Sequence, residues 1–476
     1  MPQPEKPAER RRDGCTECRR KKVKCDLQTP VCSRCTRFPR QCKYESQFIA
    51  VNSQCKSDTR RQGQRRQQLR SIPAVPRNQV IPLQAGVSAP SLYPSAIQSR
   101  LSIQSILSET TTMIFPLASR SFSDRLVASA METPHLLYAL LATSDSHARR
   151  RMTLTGDADD TVLRFTNDAI AGLRAALANG GNAHGTAMTA MALCTNDVCN
   201  GNLDVFRMHL EGVRGMLLSR INRNNTSGSS GLLDVYLVKW FAALDVSAGL
   251  SLFHNSSLLD SQLYQSCLHF SNELPQANGY VDDICGYSLG LLPILAKIGE
   301  LARLRYNLSM NTDDTTALVP KDLEIDSQAE SIERQIEALP QPNYRRERSQ
   351  LADELKLSHS AFIHTAFLHL HRRVQLLSKD HQTVRADVHN ILEAVSKLPA
   401  SSTTNILLLW PIFSAGCETD DITERGIVDE RMSHMQSLGM GNFTRARDVL
   451  NRFWSSGTDL RWDVYLAKSG VDLVLF

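Results

Sequence analysis

A chain of two unlike folded parts is predicted: a small cysteine-held module, a flexible linker and a large all-α domain. Three observations predict it. Six of the twelve cysteines fall in the 28 residues from Cys15 to Cys42. A stretch rich in Gln, Arg, Ser and Pro follows, with weak hydrophobic periodicity. From about Glu109 onward apolar residues recur at helical spacing. The total of 476 residues exceeds what one hydrophobic core usually organises.

Composition narrows the class. Hydrophobic residues make up 42% and charged residues 22%, ordinary globular usage that excludes a fibrous or wholly disordered chain. The longest apolar run, 406–417, is about half the ~20 residues of a membrane-spanning helix and contains Pro411. The N-terminal residues are polar and lack an apolar h-region, so no secretory signal and a reducing compartment are expected. The net charge of +5 hides an asymmetry: residues 1–70 carry 19 Lys or Arg against 7 Asp or Glu, and the remainder is net acidic. A basic head on an acidic body points to a polyanion met by the head alone.

The cysteines explain how so small a head would fold. Cys15, Cys18, Cys25, Cys32, Cys35 and Cys42 read C-x2-C-x6-C-x6-C-x2-C-x6-C, the same half-motif twice. In a reducing compartment this spacing favours metal over disulfides. Structural zinc takes four ligands, and a C-x2-C step lets one tight turn aim two sulfurs at one ion. Six thiolates fall short of the eight coordination sites of two zinc ions, and two bridging thiolates close the count. The repeat makes Cys15 and Cys32 the symmetric candidates for bridges. One ion would then see Cys15, Cys18, Cys25 and Cys32, and the other Cys15, Cys32, Cys35 and Cys42. With little apolar residue in this stretch beyond Val23, Leu27, Val31 and Phe38, the folding free energy must come largely from metal.

Arg19, Arg20, Lys21, Lys22 and Lys24 place five cations in six positions after Cys18. On a short helix held at the zinc ligands they would fan outward from a rigid base. Such an arrangement suits a DNA major groove, where Lys or Arg reaches the acceptor edge of guanine and neighbours contact phosphate.

Residues 15–42 resemble the binuclear zinc cluster of fungal transcription factors, with the six cysteines at family spacing, the basic run after Cys18 and Pro30 between the halves. The resemblance implies two zinc ions, a nuclear location and double-stranded DNA with CGG-type triplets as partner. It implies that Lys22, with Lys21 beside it, contacts bases, while Arg19, Arg20 and Lys24 hold phosphates. The run also suits a nuclear-import signal, together with Arg10, Arg11 and Arg12 in the basic arm 1–14.

Residues 43–108, with Pro73, Pro76, Pro82, Pro90 and Pro94, are expected to be a flexible linker. Many relatives pair two subunits through a coiled coil at this point, but residues 56–70 show no a/d apolar repeat. A homodimer is therefore left open, with Arg60, Arg61, Arg65 and Arg66 available for non-specific phosphate contacts.

Residues 109–476 are predicted as one all-α domain. Phe206, Leu210, Val213 and Leu217 repeat at steps of four, three and four, as do Leu291, Leu295, Ile298 and Ala302, and similar stripes run through 165–177 and 355–377. The segments Phe115-Pro116-Leu117-Ala118 and Thr133-Pro134-His135-Leu136-Leu137, the helix His209-Leu210-Glu211-Gly212-Val213-Arg214, the stretch Trp410-Pro411 to Ala415-Gly416-Cys417-Glu418, and Trp454 with Trp462 resemble the fungal-specific regulatory domain of the same factors. That resemblance implies an effector or dimerisation domain that acts on the transcription machinery or co-regulators and admits a small-molecule inducer. For Trp410, Trp454 and Trp462, packing is the expected role.

Other motifs carry less chemistry. Gly286-Tyr287-Ser288-Leu289-Gly290 matches G-x-S-x-G but lacks the preceding strand that a nucleophile elbow needs. His359, His364, His369 and His371 lack the i,i+4 spacing of a helical zinc pair. Cys194, Cys199, Cys267, Cys285 and Cys417 are expected as buried small hydrophobes. The sequence reading is thus a binuclear zinc cluster module joined by a flexible linker to a large all-α regulatory domain, a non-enzymatic DNA-binding regulator of transcription.

Overall fold

A computed structural model describes residues 16–21, 23, 25, 32–37, 96–151, 159–180, 183–224, 232–250, 281–310, 315–340 and 350–476. The chain divides into two units, Met1–Pro82 and Leu83–Phe476. The described part of the first unit holds two one-turn helices, α1 (Thr16–Arg20) and α2 (Ser33–Arg37). Residues 43–95 of the stretch read as linker lie outside the described residues.

The second unit is mainly helical in its described residues, which contain no strand and only a single bridge between Val281 and Ser288. No helix among them is long and apolar enough to cross a membrane. Its first helix, α3 (Ala96–Ile114), starts inside the stretch 43–108 read as linker. Ile103, Leu107, Thr111 and Ile114 recur at steps of four, four and three, and all four are buried. That stripe is short and interrupted by threonine, which is why it reads as weak periodicity.

The predicted stripes lie in the core. Phe206, Leu210, Val213 and Leu217 are at most 1% exposed on the helix Leu203–Asn224, and Leu291, Leu295, Ile298 and Ala302 are equally buried on the helix Leu291–Met310. One continuous core runs through the unit. At one end Phe115 packs edge-on against Phe122 and Trp240, with ring centroids 5.0 and 4.9 Å apart. At the other Phe362 meets Trp410 at 5.8 Å and Phe413 meets Trp462 at 5.5 Å.

The long apolar run finds its explanation here. It forms a 3-10 turn (Thr403–Leu408) leading into the helix Leu409–Cys417, every residue of which is buried. Pro411 sits in the first turn, where its missing N–H has no helical partner to lose. At Gly416 a Cβ would come within 2.9 Å of Val428 and 3.0 Å of Leu450, so the neighbouring helices pack directly on its backbone. Trp454 donates from Nε1 to the Gly416 carbonyl at 2.8 Å.

The helix Gln350–His369 passes directly into a π-turn, Leu370–Val374. The wider turn leaves three consecutive polar residues buried, and each has an acidic partner. His371 Nδ1 lies 2.6 Å from Asp387, Arg372 Nε donates to Glu418 at 2.7 Å, and Arg373 Nε donates to Asp463 at 2.9 Å. The histidine cluster is thereby absorbed into packing. His369 contacts Ser414 and Trp410 through Nε2, and His359 Nδ1 accepts from the backbone N–H of Ser288 at 3.2 Å.

That last contact also settles the shape of the G-x-S-x-G segment. It is a tight turn in which Asp282 N–H donates to the Tyr287 carbonyl and Gly286 N–H to the Asp282 carbonyl. Gly286 has φ +76°, and a Cβ there would meet Ser358 Oγ at 2.8 Å. The glycine is required by a turn leading into a helix, not by a strand-to-helix elbow.

Burial gives the domain a pH dependence. It pushes His359 down to about 4, and burial followed by the Arg373 charge pushes His369 well below its ordinary value. The unfolded chain protonates these rings below about pH 6.5. Their contribution to stability is therefore full above that pH and is lost as pH falls toward 4. His371 works in the opposite sense: burial opposes its charge, but Asp387 and Glu333 raise it overall. Its contribution is full below about 6.5 and is lost as pH rises through the raised value. The urea midpoint of the helical domain, followed by circular dichroism, is expected to be lower at pH 5 than at pH 7.5, and His359→Gln should narrow that difference.

Candidate metal centre and nucleic-acid interface

The repeated half-motif maps onto a repeated local structure. Cys18 is the third residue of α1, and Cys35 is the third residue of α2. Cys32 stands directly ahead of α2, as Cys15 stands ahead of α1 in the sequence. A cysteine at the entry of a helical turn and another three residues on are thrown to the same side, which is how the step from Cys32 to Cys35 gathers two sulfurs.

Across the two halves the sulfurs converge. The Sγ atoms of Cys18, Cys32 and Cys35 all lie within 4.8 Å of one another, and all three residues are buried. Cys18 Sγ and Cys32 Sγ are 3.7 Å apart. A disulfide would hold them at about 2.05 Å. A Zn–S distance of about 2.3 Å gives a tetrahedral edge of about 3.8 Å. The spacing fits two thiolates on one ion. Among the described residues Val23 and Cys25 are the apolar side chains packed against this trio.

Cys32 is the hub. It is 0% exposed, and burial works against its ionisation, yet hydrogen bonds from the Cys35 N–H and from the thiols of Cys35, Cys18 and Cys25 outweigh that and hold it below the usual thiol value. Among the described residues this is the one convergence of three or more Cys, His, Asp or Glu donors of ligand spacing. Cys15 and Cys42 lie outside the described residues.

The basic run departs from one continuous helix. Lys21 N–H still bonds to the Glu17 carbonyl, but Val23 N–H reaches back to Cys18 O at 3.0 Å, a six-residue closure that ends the helix at Arg20. Cys25 has to return to the sulfur cluster, and a helix continued to Lys24 would carry it away. Arg20 and Lys21 are exposed beside the buried Cys18. Arg20 donates through Nε and Nη2 to both carboxylate oxygens of Glu17, at 3.1 and 2.9 Å. The side chain of Arg19, and Lys22 and Lys24 altogether, lie outside the described residues.

Sequence reasoning missed Glu17 as the partner that orients Arg20; the three-residue spacing inside C-T-E-C-R-R was its signal. It also passed over Arg34 and Arg37, exposed on α2. Their signal was the second half-motif, C-S-R-C-T-R, read against the first.

In the second unit the segments that carry the resemblance are packing devices. His209 Nδ1 lies 2.7 Å from Asp197, Leu210 and Val213 enter the core, and Arg214 donates to the buried Asp245 at 2.7 Å. Trp410 and Trp462 are buried, as are Cys194, Cys199, Cys285 and Cys417; Cys267 lies outside the described residues.

Comparison with known proteins places both units. The fungal Zn(2)-Cys(6) binuclear cluster domain matches residues 13–48, and the fungal specific transcription factor domain matches residues 104–476. No curated protein and no solved structure matches the chain. Both matching families are transcription factor domains, and the second covers most of the sequence. The chain belongs to the fungal transcription factors that join a DNA-binding binuclear zinc cluster to a fungal-specific transcription factor domain.

Proposed function

We propose that this protein acts in the nucleus as a sequence-specific regulator of RNA polymerase II genes, reading CGG-type triplets in the major groove through the basic segment after Cys18. The observation that carries this reading is the buried sulfur cluster at Cys18, Cys32 and Cys35 with Arg20 and Lys21 exposed immediately beyond it. A rigid base with outward cations is what groove docking requires.

Two zinc ions are assigned to the module 15–42, held by Cys15, Cys18, Cys25, Cys32, Cys35 and Cys42, with Cys15 and Cys32 bridging. The hub position of Cys32, close to Cys18 of one ion's set and Cys35 of the other's, supports its role as a bridge. Bound zinc supplies the cross-links that stand in for a hydrophobic core. Lys21 and Lys22 are assigned to guanine edges, and Arg19, Arg20 and Lys24 to phosphates. The pair to Glu17 leaves Nη1 of Arg20 for a phosphate oxygen. The helical domain, read as 109–476, controls output through co-regulators or the transcription machinery, as a monomer or a homodimer.

Lys22→Ala is expected to weaken binding to a CGG duplex by about 1–3 kcal/mol and to relax discrimination at one base pair. Arg20→Ala should weaken CGG and scrambled duplexes alike and lower the salt slope by about 1. Fluorescence anisotropy on both duplexes between 50 and 200 mM salt separates the two effects. Equal losses on both duplexes for Lys22→Ala would remove that residue from base reading.

A further inference from the structure

We infer that Arg34 and Arg37, exposed together on α2, are a second phosphate-holding pair of the zinc module and grip the DNA backbone from the other half-motif. The inference rests on the reading of the module as a DNA binder and adds two residues to its interface.

Setting the two halves in register brings out a change of sign. Cys15-Thr16-Glu17-Cys18-Arg19-Arg20 aligns with Cys32-Ser33-Arg34-Cys35-Thr36-Arg37, so Arg34 stands where the first half has Glu17, and Arg37 where it has Arg20. In α1 the pair is opposite in charge and closed, with Arg20 on both carboxylate oxygens of Glu17 at 3.1 and 2.9 Å. In α2 it is two cations three residues apart. Helix geometry sets such positions side by side, where like charges repel.

The position along the helix is adverse as well. Arg34 is the second residue of α2, in the turn whose free N–H groups favour an acid, as α1 has in Glu17; α2 has no acidic residue there. The helix dipole accounts for Arg37 at the last residue but not for Arg34. Packing does not account for them either, since both are exposed beside Ser33 and Thr36, and among the described residues neither has an acidic partner. Neither feature stabilises the fold, so the two charges are explained by a ligand that meets them.

The base beneath them is rigid. Cys32 and Cys35 bracket Arg34 and are both buried in the sulfur cluster, and Thr36 ties the turn to the Cys32 carbonyl through its N–H at 3.0 Å and its hydroxyl at 3.2 Å. Two guanidinium forks on such a base suit phosphate oxygens, which they bind bidentately. Position favours DNA as their source. Cys18 of α1 and Cys32 at the entry of α2 have sulfurs 3.7 Å apart, so both helices stand on one small cluster. A major groove about 12 Å wide carries phosphates along both edges. A module this small that enters the groove at α1 has backbone beside α2 too.

The test follows full-length zinc-loaded protein on CGG and scrambled duplexes by fluorescence anisotropy between 50 and 200 mM salt, with zinc counted in each preparation. Arg34→Gln and Arg37→Gln should each lower the salt slope by about 1, and the double variant by about 2, alike on both duplexes and with zinc per chain unchanged. Arg34→Glu rebuilds the pair that Glu17 makes with Arg20. It should keep its zinc against EDTA at least as long as wild type does, and bind both duplexes more weakly than Arg34→Gln. An unchanged slope in either Gln variant would overturn the pair, and so would a loss confined to the CGG duplex. A slope that falls only where zinc also falls would assign the arginines to folding and overturn it equally. Slopes that ignore both arginines while an acidic peptide binds wild type and not the double variant would give the pair to a partner protein instead. A wild-type chain without CGG preference, but with a slope that depends on both arginines, would sink base reading and leave this pair standing; CGG preference with indifferent slopes would do the reverse.

Discussion

Replacing Cys32 by serine is expected to abolish sequence-selective DNA binding. Cys32 is fully buried within the sulfur trio, and its loss removes a ligand proposed to serve both ions. Among the described residues only Val23 and Cys25 pack against that trio, which gives α1 little besides the metal to hold it in place. Structural zinc contributes an apparent ~10–16 kcal/mol in comparable small modules, far above the stability such a segment could otherwise reach. Zinc per chain should fall well below that of wild type, and affinity for a CGG duplex should drop to the non-specific level, on the order of 10³-fold or more. The helical domain packs as a separate unit, so its thermal unfolding should stay unchanged. Cys417→Ser is the control: Cys417 is buried in the helical core, and its replacement should leave zinc content and DNA affinity as they are. A Cys32→Ser protein that retained wild-type zinc and affinity would remove Cys32 from the metal centre.

The second large effect belongs to the helical domain. Arg373→Ala is expected to destabilise it by about 3–5 kcal/mol, because it strands a buried carboxylate. The side chains of Arg373 and Asp463 are each 1% exposed, and the guanidinium also stacks over Trp462 at 5.3 Å. Burial works against the charge of Asp463, but Arg373 and then Arg461 more than offset it and hold the carboxyl below its usual range. Without Arg373 the carboxylate keeps Arg461, at 3.1 Å, as its cationic partner, and the Val464 N–H at 2.9 Å. The double variant Arg373→Met, Asp463→Leu should recover part of the loss, since the buried carboxylate leaves with its buried partner and only the more accessible Arg461 loses its pair. Urea unfolding followed by circular dichroism reads both outcomes. A change below about 1 kcal/mol in Arg373→Ala would show that the pair carries little of the fold.

What the sequence discloses follows the range of the interactions. The helices at Phe206–Leu210–Val213–Leu217 and at Leu291–Leu295–Ile298–Ala302 are legible because a helix buries one stripe and its period survives in the chain. The cysteine spacing is legible because metal ligation imposes local geometry on each half. The end of α1 at Arg20 is not, because it is set by Cys25 returning to sulfurs that belong to the other half-motif. The π-turn at Leu370–Val374 escapes for a similar reason: nothing local to His371, Arg372 and Arg373 marks it until Asp387, Glu418 and Asp463 are brought to them.

The central claim is tested most directly by selecting duplexes from a random pool with the full-length chain while counting zinc per chain in the same preparation. Two zinc ions per chain with enrichment of CGG-type triplets is the predicted result. Two zinc ions with no enriched sequence would contradict it, leaving the cluster a scaffold that does not read DNA.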